Sequence, residues 1–338
     1  MNFYLIGINY NTSSLKVREQ AFKKRLPIES FLNWLSEGGA VVLTTCNRFE
    51  VYGITKDDTS AKFIYGMLLS RFPKVFKDAY LRDNTKDVVV HALRLSCGLD
   101  SQILGEHQVV EQLRRWIKRD GFPNLIKEMW DVVLDWSKDI RLISGIDSAF
   151  KDIADFVLDD IKELKAEKLL VIGTGKVAEL ISKKDIGDIK VLFVARKKHI
   201  KAKKLARNAG GDVISFDELP YALEQADVII SATSSPHYIL DKKDVEKFVN
   251  KNKRIYDLSI PRDVNPDVKQ ISGIVLKSLD DISFMAQDYN KKLKPCVKRA
   301  GEFAKEAAEL IIGDSNAYKD KSWSKAERAC AKTGSGSF

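Results

Sequence analysis

The period of apolar positions changes along the chain and predicts two regions of different construction. In residues 1–150, short apolar runs such as residues 3–8 and 40–43 predict strands. Apolar positions at helical spacing predict helices at residues 28–37, 62–71, 88–95, 108–118 and 124–164, the last with an interruption near 144–146. From residue 166 to 285, apolar strands alternate with helices of ten to fifteen residues. That alternation is typical of a parallel, doubly wound sheet, so the fold class is α/β.

The chain after about residue 282 is predicted to be helical. An apolar stripe at 3.6-residue spacing is formed by Val297, Ala300, Ala304, Ala307, Ala308 and Ile311. Pro295 is expected to break or kink this helix near its start. The stripe is open to two interpretations, pairing with another copy of the chain or packing on the chain's own domains. Residues 332–338 have a linker composition and are predicted to be disordered.

Composition limits the class of protein and the kind of partner. The 338 residues carry a net charge of +9, with much of the excess between residues 183 and 207, which makes a polyanionic partner such as nucleic acid plausible. The four cysteines are far apart, which argues against a zinc site or a disulfide framework and fits a reduced cytoplasm. The sequence shows neither a membrane span nor a signal peptide.

Residues 44–48, Thr-Thr-Cys-Asn-Arg, directly follow an apolar strand. A second strand is predicted to start at once, and its alternation places Arg48, Glu50 and Tyr52 on the face towards the thiol of Cys46. A cysteine beside a fixed guanidinium can have a lowered pKa and react as the thiolate. The alternative is that Cys46 is a small buried hydrophobic residue.

A glycine-rich turn follows the apolar strand at residues 169–172 and opens a helix. It consists of Gly173, Thr174, Gly175, Lys176, Val177 and Ala178. Gly173 permits a tight turn, Gly175 lets backbone N–H groups approach a pyrophosphate, and the start of the helix adds its positive end. In this context the pattern predicts a dinucleotide-binding site.

The residues after the next strand bear on the choice of dinucleotide. Arg196, Lys197 and Lys198 stand where an NAD enzyme usually has an acidic residue for the ribose 2′-hydroxyl. Basic residues suit a 2′-phosphate, which favours NADPH over NADH. The alternative is a solvated basic helix start, which is less natural for Arg196 directly at the strand end.

Several motifs together resemble the glutamyl-tRNA reductase family. They are residues 44–48, Gly-Leu-Asp-Ser at 98–101, Gly-Glu-His-Gln at 105–108 with Gln112, the glycine-rich turn at 173–178, and residues 231–237 and 257–263. The motifs occur in family order and cover roughly residues 3–312. The combination of residues 44–48 with the motifs at 98–101 and 105–108 is highly specific.

The resemblance implies the first step of tetrapyrrole (porphyrin) biosynthesis by the five-carbon route. An NADP-dependent oxidoreductase would reduce glutamyl-tRNA(Glu) to glutamate-1-semialdehyde. Cys46 would attack the aminoacyl ester and form a thioester, which accepts a hydride from NADPH more readily than a carboxylate does. Glutamate-1-semialdehyde aminotransferase is the partner that family membership makes plausible, and the cytoplasm is the expected location.

Site residues follow from matching this chain to the family's motifs. Cys46 and His91 are the predicted catalytic residues, although a lone histidine on an apolar helix face is more often structural. The predicted substrate-binding residues are Thr45, Asn47, Arg48, Ser101, Glu106, His107, Gln108 and Gln112. Arg48 would give the substrate carboxylate a forked partner. His107 replaces the family's usual proline, and no metal site is expected.

The predicted domains are a catalytic glutamyl-tRNA-binding domain at 1–150, an NADPH-binding Rossmann domain at 151–285, and a shortened remnant of the spinal helix and dimerisation domain at 286–338. With this shortened end, the resemblance leaves open whether the chain forms the family's homodimer. Two rival functions stay open. One is a non-catalytic paralogue that binds tRNA or regulates the pathway, and the other is a Rossmann dehydrogenase acting on a small hydroxy or keto acid.

Other polar and aromatic residues are expected to be structural. Cys97, Trp116 and Trp130 are predicted to lie in the core. Asp257 and Asp263, at a later strand end, either line the cofactor cleft or serve as capping and turn residues.

Overall fold

The computed structural model describes residues 2–36, 39–56, 58–149, 151–195, 199–248 and 252–313. The chain divides into two compact units. The first contains the described residues of 1–150 together with 288–313, and the second contains those of 151–287. No helix in these described ranges is long and apolar enough to cross a membrane.

The first unit is built on an antiparallel sheet. Its strands are β1 (Asn2–Asn9), β2 (Ala40–Thr44), β3 (Arg48–Thr55) and β4 (Tyr80–Arg82), in the order β2-β3-β1-β4. β2 and β3 form a hairpin whose register pairs Thr44 with Phe49, so Cys46 lies at the tip. The predicted hairpin is therefore confirmed. β4 has no counterpart among the predictions because its three residues are too few to show a period.

Helices cover both faces of this sheet. They are α1 (Leu15–Lys23), α2 (Arg25–Leu35), α3 (Asp58–Arg71), α4 (Pro73–Phe76), α5 (Thr85–Ser96), α6 (Gln108–Trp116) and α7 (Asn124–Ser144), followed by a 3-10 turn at Ile146–Ala149. Phe49 and Val51 of β3 enter a core formed with α1 to α4. Tyr52 and Ile54 enter the opposite core, formed with α5 to α7. Because the sheet lies between two helical layers, every residue of β3 is buried.

The second unit is a parallel, doubly wound sheet. Its strands are β5 (Lys168–Ile172), β6 (Lys190–Val194), β7 (Asp212–Ile214), β8 (Val228–Ser231), β9 (Lys253–Asp257) and β10 (Ile274–Ser278), in the order β10-β9-β8-β5-β6-β7. All its strand pairs are parallel. The order reverses between β5 and β8, where such folds bind ligands at the carboxyl ends of the strands. The Rossmann-type fold expected for this region is confirmed, with β7 and β10 added at the sheet edges.

The helices of the second unit connect its strands. They are α8 (Ile153–Lys162), α9 (Lys176–Ile181), α10 (His199–Ala209), α11 (Leu219–Gln225), α12 (Lys242–Phe248) and α13 (Leu279–Met285), with 3-10 turns at Phe216–Glu218 and Pro266–Gln270. α8 begins with a capping box in which the Asp152 side chain accepts hydrogen bonds from the backbone of the first turn. In the sequence, α8 is the helix that precedes β5, the first strand of this sheet.

The last described helix, α14 (Gln287–Gly313), packs in the first unit. Its stripe residues Ala300, Ala304 and Ile311 join the core that α5 to α7 form, so the stripe packs on the chain's own helices. Of the two expectations for Pro295, the break is wrong, because α14 continues through it, and the kink stays a prediction. Residues buried on both sides of the proline, including Leu293, provide packing that offsets the lost backbone hydrogen bond. Residues 332–338 lie outside the described ranges.

Candidate active site

Cys46 lies at the tip of the β2–β3 hairpin. The Thr45 amide donates a hydrogen bond to the Arg48 carbonyl at 3.0 Å, which closes the turn. The Tyr10 amide donates to the Asn47 carbonyl at 2.9 Å, which ties the tip to the end of β1. The free, half-buried cysteine therefore sits on a backbone that is fixed on both sides.

The surroundings of Cys46 do not favour the thiolate. Burial is the main reason that the pKa of the thiol is raised to about 11; the Glu106 carboxylate adds to this rise, and the Arg18 guanidinium opposes it more weakly. The expectation that a guanidinium lowers the pKa of this thiol below its usual value is therefore wrong for this structure. A reaction at neutral pH needs a group that takes the proton from sulfur.

Glu50 is the centre of a buried polar cluster next to the hairpin. Its Oε1 lies 2.8 Å from Arg48 Nη1 and 3.0 Å from His91 Nε2. The hydroxyls of Tyr80 and Tyr52 donate to its two oxygens at 2.6 and 2.8 Å. The shared face predicted for Arg48, Glu50 and Tyr52 is confirmed by these contacts, and Glu50 is fully buried.

The charges in this cluster determine its protonation. Burial alone would raise the pKa of Glu50, but Arg48 and His91 together hold it well below its usual value. Burial, followed by the charge of Glu50, raises the pKa of both Tyr52 and Tyr80 well above 10.0, so both are neutral donors. The result is an ionised carboxylate that orients the His91 ring.

Arg48 connects the hairpin to the loop after α5. Its Nη2 donates to the Asp100 carbonyl at 2.7 Å, while the Asp100 carboxylate pairs with Arg94 of α5 at 2.5 Å. Arg48 is 1% exposed, and its two terminal nitrogens contact Glu50 and Asp100. Its assignment to the substrate carboxylate stays a prediction.

The loop that carries Ser101 is held by two distant elements. The Tyr10 hydroxyl donates to the Ser101 carbonyl at 3.2 Å. From α14, the Asn290 side chain donates to the Gln102 carbonyl at 2.8 Å and accepts from the Leu104 amide at 3.0 Å. Ser101 is buried as a result. The last helix therefore positions a loop that the sequence assigns to substrate binding.

Arg141 of α7 holds the two ends of the same loop. Its guanidinium donates to the Cys97 carbonyl at 2.9 Å and to the Gly105 carbonyl at 2.7 Å, and it also pairs with Asp147. The His107 Nε2 lies 3.1 Å from the Asp147 carboxylate. Burial, and then the charge of Arg141, lowers the pKa of His107. The structure thus places His107 among loop-supporting charges, and its contact with substrate stays a prediction.

Several buried polar atoms in the described part of the chain have no hydrogen-bond partner, and two of them belong to predicted substrate-binding residues. These two are Oδ1 of Asn47, at the hairpin tip, and Nε2 of Gln108, the first residue of α6. Glu106 is half-buried and close enough to raise the pKa of Cys46, and Gln112 lies about one helical turn after Gln108. Buried polar atoms without a partner are costly, so they mark positions where a polar substrate group can bind.

The glycine-rich turn lies at the reversal of strand order in the second sheet. Gly173 has a φ of +109°, and a Cβ there would meet the Ala232 carbonyl oxygen of the loop after β8 at 2.5 Å. At Gly175, just before α9, a Cβ would lie 3.3 Å from the same oxygen. Ala178 is buried, while Thr174, Lys176 and Val177 are half-buried. This close backbone packing at the start of a helix fits the pyrophosphate of a dinucleotide.

Two buried aspartates hold the strand ends next to this turn. Asp263 accepts hydrogen bonds from the hydroxyls of Ser231 at 2.7 Å, Thr233 at 2.5 Å and Ser259 at 2.6 Å. Asp257 accepts backbone N–H bonds, including one from Asp263 at 3.2 Å. Burial, together with the charge of Asp263, raises the pKa of Asp257 to about 7. Of the two roles left open, the structure shows the turn role.

Some predicted residues lie outside the described ranges. Arg196, Lys197 and Lys198, on which the preference for NADPH depends, are among them, and so is Cys330. Cys97, Trp116 and Trp130 are buried in the core as predicted. In the described ranges, no group of three or more His, Cys, Asp or Glu side chains is placed to hold a metal ion.

The sequence analysis did not include Glu50, Tyr80 or Asn290 among the site residues. For Glu50, the alternation of β3 was a usable signal, because it puts the carboxylate on the same face as Arg48. Tyr80 and Asn290 reach the site only through the folded chain, and no local pattern identifies them.

The second unit, a Rossmann-type sheet with a glycine turn at its reversal point, and the first unit, which presents a cysteine on a fixed hairpin, define a nicotinamide-dependent oxidoreductase. Comparison with family models gives the same division of the chain. Residues 6–137 match the model described as "Glutamyl-tRNAGlu reductase, N-terminal domain". Residues 155–285 match the model described as "Shikimate / quinate 5-dehydrogenase".

Relatives with the same name cover most of the chain. Glutamyl-tRNA reductase of Wigglesworthia glossinidia brevipalpis is 30% identical over 94% of this chain and 81% of its own length. The protein of that name from Methanocaldococcus jannaschii is 32% identical over 84% of this chain and 70% of its own. The solved glutamyl-tRNA reductase of Methanopyrus kandleri has a similar fold, with a TM-score of 0.51 at 23% identity over 92% of this chain and 80% of that one. The chain belongs to the glutamyl-tRNA reductase family.

Proposed function

We propose that this chain reduces glutamyl-tRNA to glutamate-1-semialdehyde, the first step of the five-carbon route to tetrapyrroles, through a thioester on Cys46. The observation that carries the proposal is the free thiol on a fixed hairpin tip, next to the buried and unpartnered Oδ1 of Asn47. Family membership supports the substrate. Together they favour an aminoacyl ester as the group that reaches the thiol.

In the first half-reaction, Sγ of Cys46 loses its proton and attacks the carbonyl carbon of the ester. A C–S bond forms, the C–O bond to the tRNA ribose breaks, and the released ribose oxygen takes a proton. Because the pKa of the thiol is about 11, a base must accept its proton, and Glu106 is the carboxylate whose charge acts on Cys46. His91, oriented by Glu50, is proposed to assist proton transfer to or from the leaving group.

The substrate's polar groups are assigned to the residues around the hairpin. Arg48 is proposed to pair with the substrate carboxylate, and the support for this role is the match of residues 44–48 to the family's motif. The remaining proposed contacts are made by Thr45, Asn47, Ser101, His107, Gln108 and Gln112. The unpartnered Nε2 of Gln108 supports an acceptor group of the substrate at the start of α6.

The second half-reaction needs a reductant. When bound, the nicotinamide cofactor supplies a hydride to the thioester carbonyl carbon. Cys46 then leaves as the thiolate and regains its proton, which frees the aldehyde. Gly173 and Gly175 allow the backbone to hold the pyrophosphate, and Thr174, Lys176, Val177 and Ala178 complete the turn at the start of α9.

NADPH is the proposed form of the cofactor. The support is the basic run at residues 196–198, which begins two positions after the end of β6, in the region where a 2′-phosphate binds in such folds. Arg196→Asp is expected to lower kcat/KM with NADPH relative to NADH. Lys203→Asp on α10 makes the same change of charge on an exposed residue and is expected to leave the preference unchanged. If both variants changed the cofactor preference equally, Arg196 would have no specific role in binding the 2′-phosphate.

The activity is tested by following cofactor oxidation and semialdehyde formation with glutamyl-tRNA, free glutamate and small hydroxy or keto acids as substrates. Turnover that requires the aminoacylated tRNA supports the proposal. Turnover of a small acid without tRNA would support the other type of Rossmann dehydrogenase. Binding of tRNA without any turnover would support a regulatory paralogue.

The semialdehyde is a reactive amino aldehyde, so transfer to glutamate-1-semialdehyde aminotransferase is the proposed next step. Co-sedimentation of the two proteins tests this partnership. A cytoplasmic location stays a prediction, and the oligomeric state stays open. Since the stripe on α14 packs inside the first unit, a dimer would use other surfaces of that helix, where Leu310 is 48% exposed.

A further inference from the structure

A groove of about 870 Å³ lies between α1, α2 and the junction of α3 with α4. Phe31 and Trp34 of α2 line it together with Phe72. The Phe31 ring is stacked with Trp34 and packs edge-on against Phe72, with both pairs of ring centroids 5.9 Å apart. Trp34 is nevertheless 75% exposed. An aromatic surface that is held in place but left open to solvent is typical of a binding site.

Cationic side chains surround these rings. Lys23, Lys24, Arg71 and Lys74 also line the groove, and all of them are exposed. None of these cations has an ion-pair partner within the described ranges, and no described residue that lines the groove is acidic. The groove therefore combines an unneutralised positive charge with flat apolar surfaces.

This combination fits one class of partner. Single-stranded nucleic acids bind where cations contact the phosphates and aromatic rings stack on the bases. An apolar protein segment would use the rings but would leave the four cations without partners. The net charge of +9 on the whole chain agrees with a polyanionic partner.

The groove and the surroundings of the reacting group share helix α1. α1 carries Arg18, whose charge acts on the Cys46 thiol, and it continues to Lys23 at the edge of the groove. Because a helix advances about 1.5 Å per residue, Lys23 lies about 7–8 Å beyond Arg18 along the axis. A nucleic acid whose esterified end reaches Cys46 therefore has nucleotides within reach of the groove.

We propose that this groove, which we call the aromatic groove, binds unpaired nucleotides near the 3′ end of the substrate tRNA. A base stacks on Trp34, while Lys23, Lys24, Arg71 and Lys74 contact phosphates. The proposal rests on the proposed function, since it takes the RNA part of that substrate as the ligand. It adds an affinity site that is separate from the residues around Cys46.

The test measures the dissociation constant of uncharged tRNA(Glu) as a function of salt for three variants. Trp34→Ala removes the stacking surface, and Lys24→Glu/Lys74→Glu reverses two cations. Lys243→Glu/Lys247→Glu, on exposed positions of α12 in the other unit, makes the same change of charge and is the control. Thermal unfolding of each variant confirms that it folds, since all five positions are exposed.

Trp34→Ala is expected to weaken tRNA binding by about tenfold, which is the loss typical of one stacked base. The Lys24→Glu/Lys74→Glu variant is expected to reduce the slope of log affinity against log salt by about one to two. Both variants should raise KM for glutamyl-tRNA and leave kcat unchanged, whereas the control stays close to the wild type.

Equal affinities and salt slopes for the groove variants and the control would overturn the proposal. The proposal would also be overturned if the groove variants changed the sedimentation of the protein but not its tRNA affinity. The groove would then be an interface between two copies of the chain. If the wild type forms no semialdehyde while Trp34→Ala still weakens tRNA binding, the proposed reductase function is wrong. The proposal that the aromatic groove binds tRNA is then still supported.

Discussion

The Glu50 carboxylate and the His91 imidazole lie 3.0 Å apart, and both are buried. A histidine on the apolar face of α5 would, taken alone, be as easily explained by packing. Its contact with an ionised carboxylate gives the ring a fixed orientation and favours a proton on Nε2. Because Arg48 binds the same carboxylate oxygen, one residue orients two of the predicted site residues.

Glu50→Gln is expected to destabilise the fold by about 3–5 kcal/mol, because it leaves the buried Arg48 without its counter-charge. Urea denaturation measures the effect. Asp135→Asn, which breaks the exposed Asp135–Lys138 pair, is the control and should cost less than about 1 kcal/mol. A cost for Glu50→Gln as small as that of the control would contradict the account of the cluster.

The pKa of Asp257 makes stability depend on pH. This pKa is raised from 3.8 to about 7 in the folded chain, so the folded state holds a proton that the unfolded state releases. The stabilisation is therefore full below about pH 4 and is lost as the pH rises through 7, by roughly 4 kcal/mol in all.

Chemical denaturation at several pH values, compared between the wild type and Asp257→Asn, measures this difference. Asp244→Asn, at an exposed position, should keep the wild-type profile. Identical profiles for the wild type and Asp257→Asn would show that Asp257 is ionised in the folded chain.

The protonated state of Cys46 predicts slow alkylation at neutral pH. In a background with Cys296→Ser and Cys330→Ser, the rate of reaction with iodoacetamide should rise about tenfold per pH unit, because the pKa of the thiol is about 11. Glu106→Gln removes a negative charge that raises this pKa, so it should speed the reaction at any given pH. Fast alkylation with a plateau near pH 7 would contradict the assigned environment of Cys46.

Asn290 on α14 is expected to support activity from a distance. Asn290→Ala removes both hydrogen bonds to the loop that carries Ser101 and should cost about 1–3 kcal/mol in stability. The looser loop should also lower kcat/KM for glutamyl-tRNA. Lys291→Ala changes the next residue, which is exposed and pairs with Asp288 on the helix surface, so it should change neither quantity. Normal kcat/KM in Asn290→Ala would mean that the loop does not depend on α14.

The sequence predicted the parts of the fold that have a clear period. The β2–β3 hairpin, the long helix α7 and the central strands of the second sheet were all predictable, because each buries a regular set of apolar residues. The short edge strands β7 and β10 were missed, since β7 has three residues and the apolar run of β10 covers only residues 274–276. α1 was missed as well, because it buries the charged residues Arg18 and Glu19 together with its apolar ones.

The candidate site was less predictable than the fold. The local sequence was enough to predict the motif around Cys46 and the alternation of Arg48 with Glu50. It was not enough to predict the raised pKa of the thiol, because that depends on burial and on Glu106, which only the folded chain brings near. The contact between Asn290 and Gln102 spans 188 residues and has no sequence signal. Long-range contacts of this kind need the tertiary structure.

The central claim is that Cys46 carries the glutamyl group as a thioester. The most direct measurement is the intact mass of the protein after brief incubation with glutamyl-tRNA without a reduced cofactor. The account predicts a mass increase of one glutamyl group per chain in the wild type and no increase in Cys46→Ser. When NADPH is added to the modified wild type, the glutamyl group should be lost and semialdehyde should form. An unmodified wild type that still produces semialdehyde, or Cys46→Ser with near-normal turnover, would contradict the account.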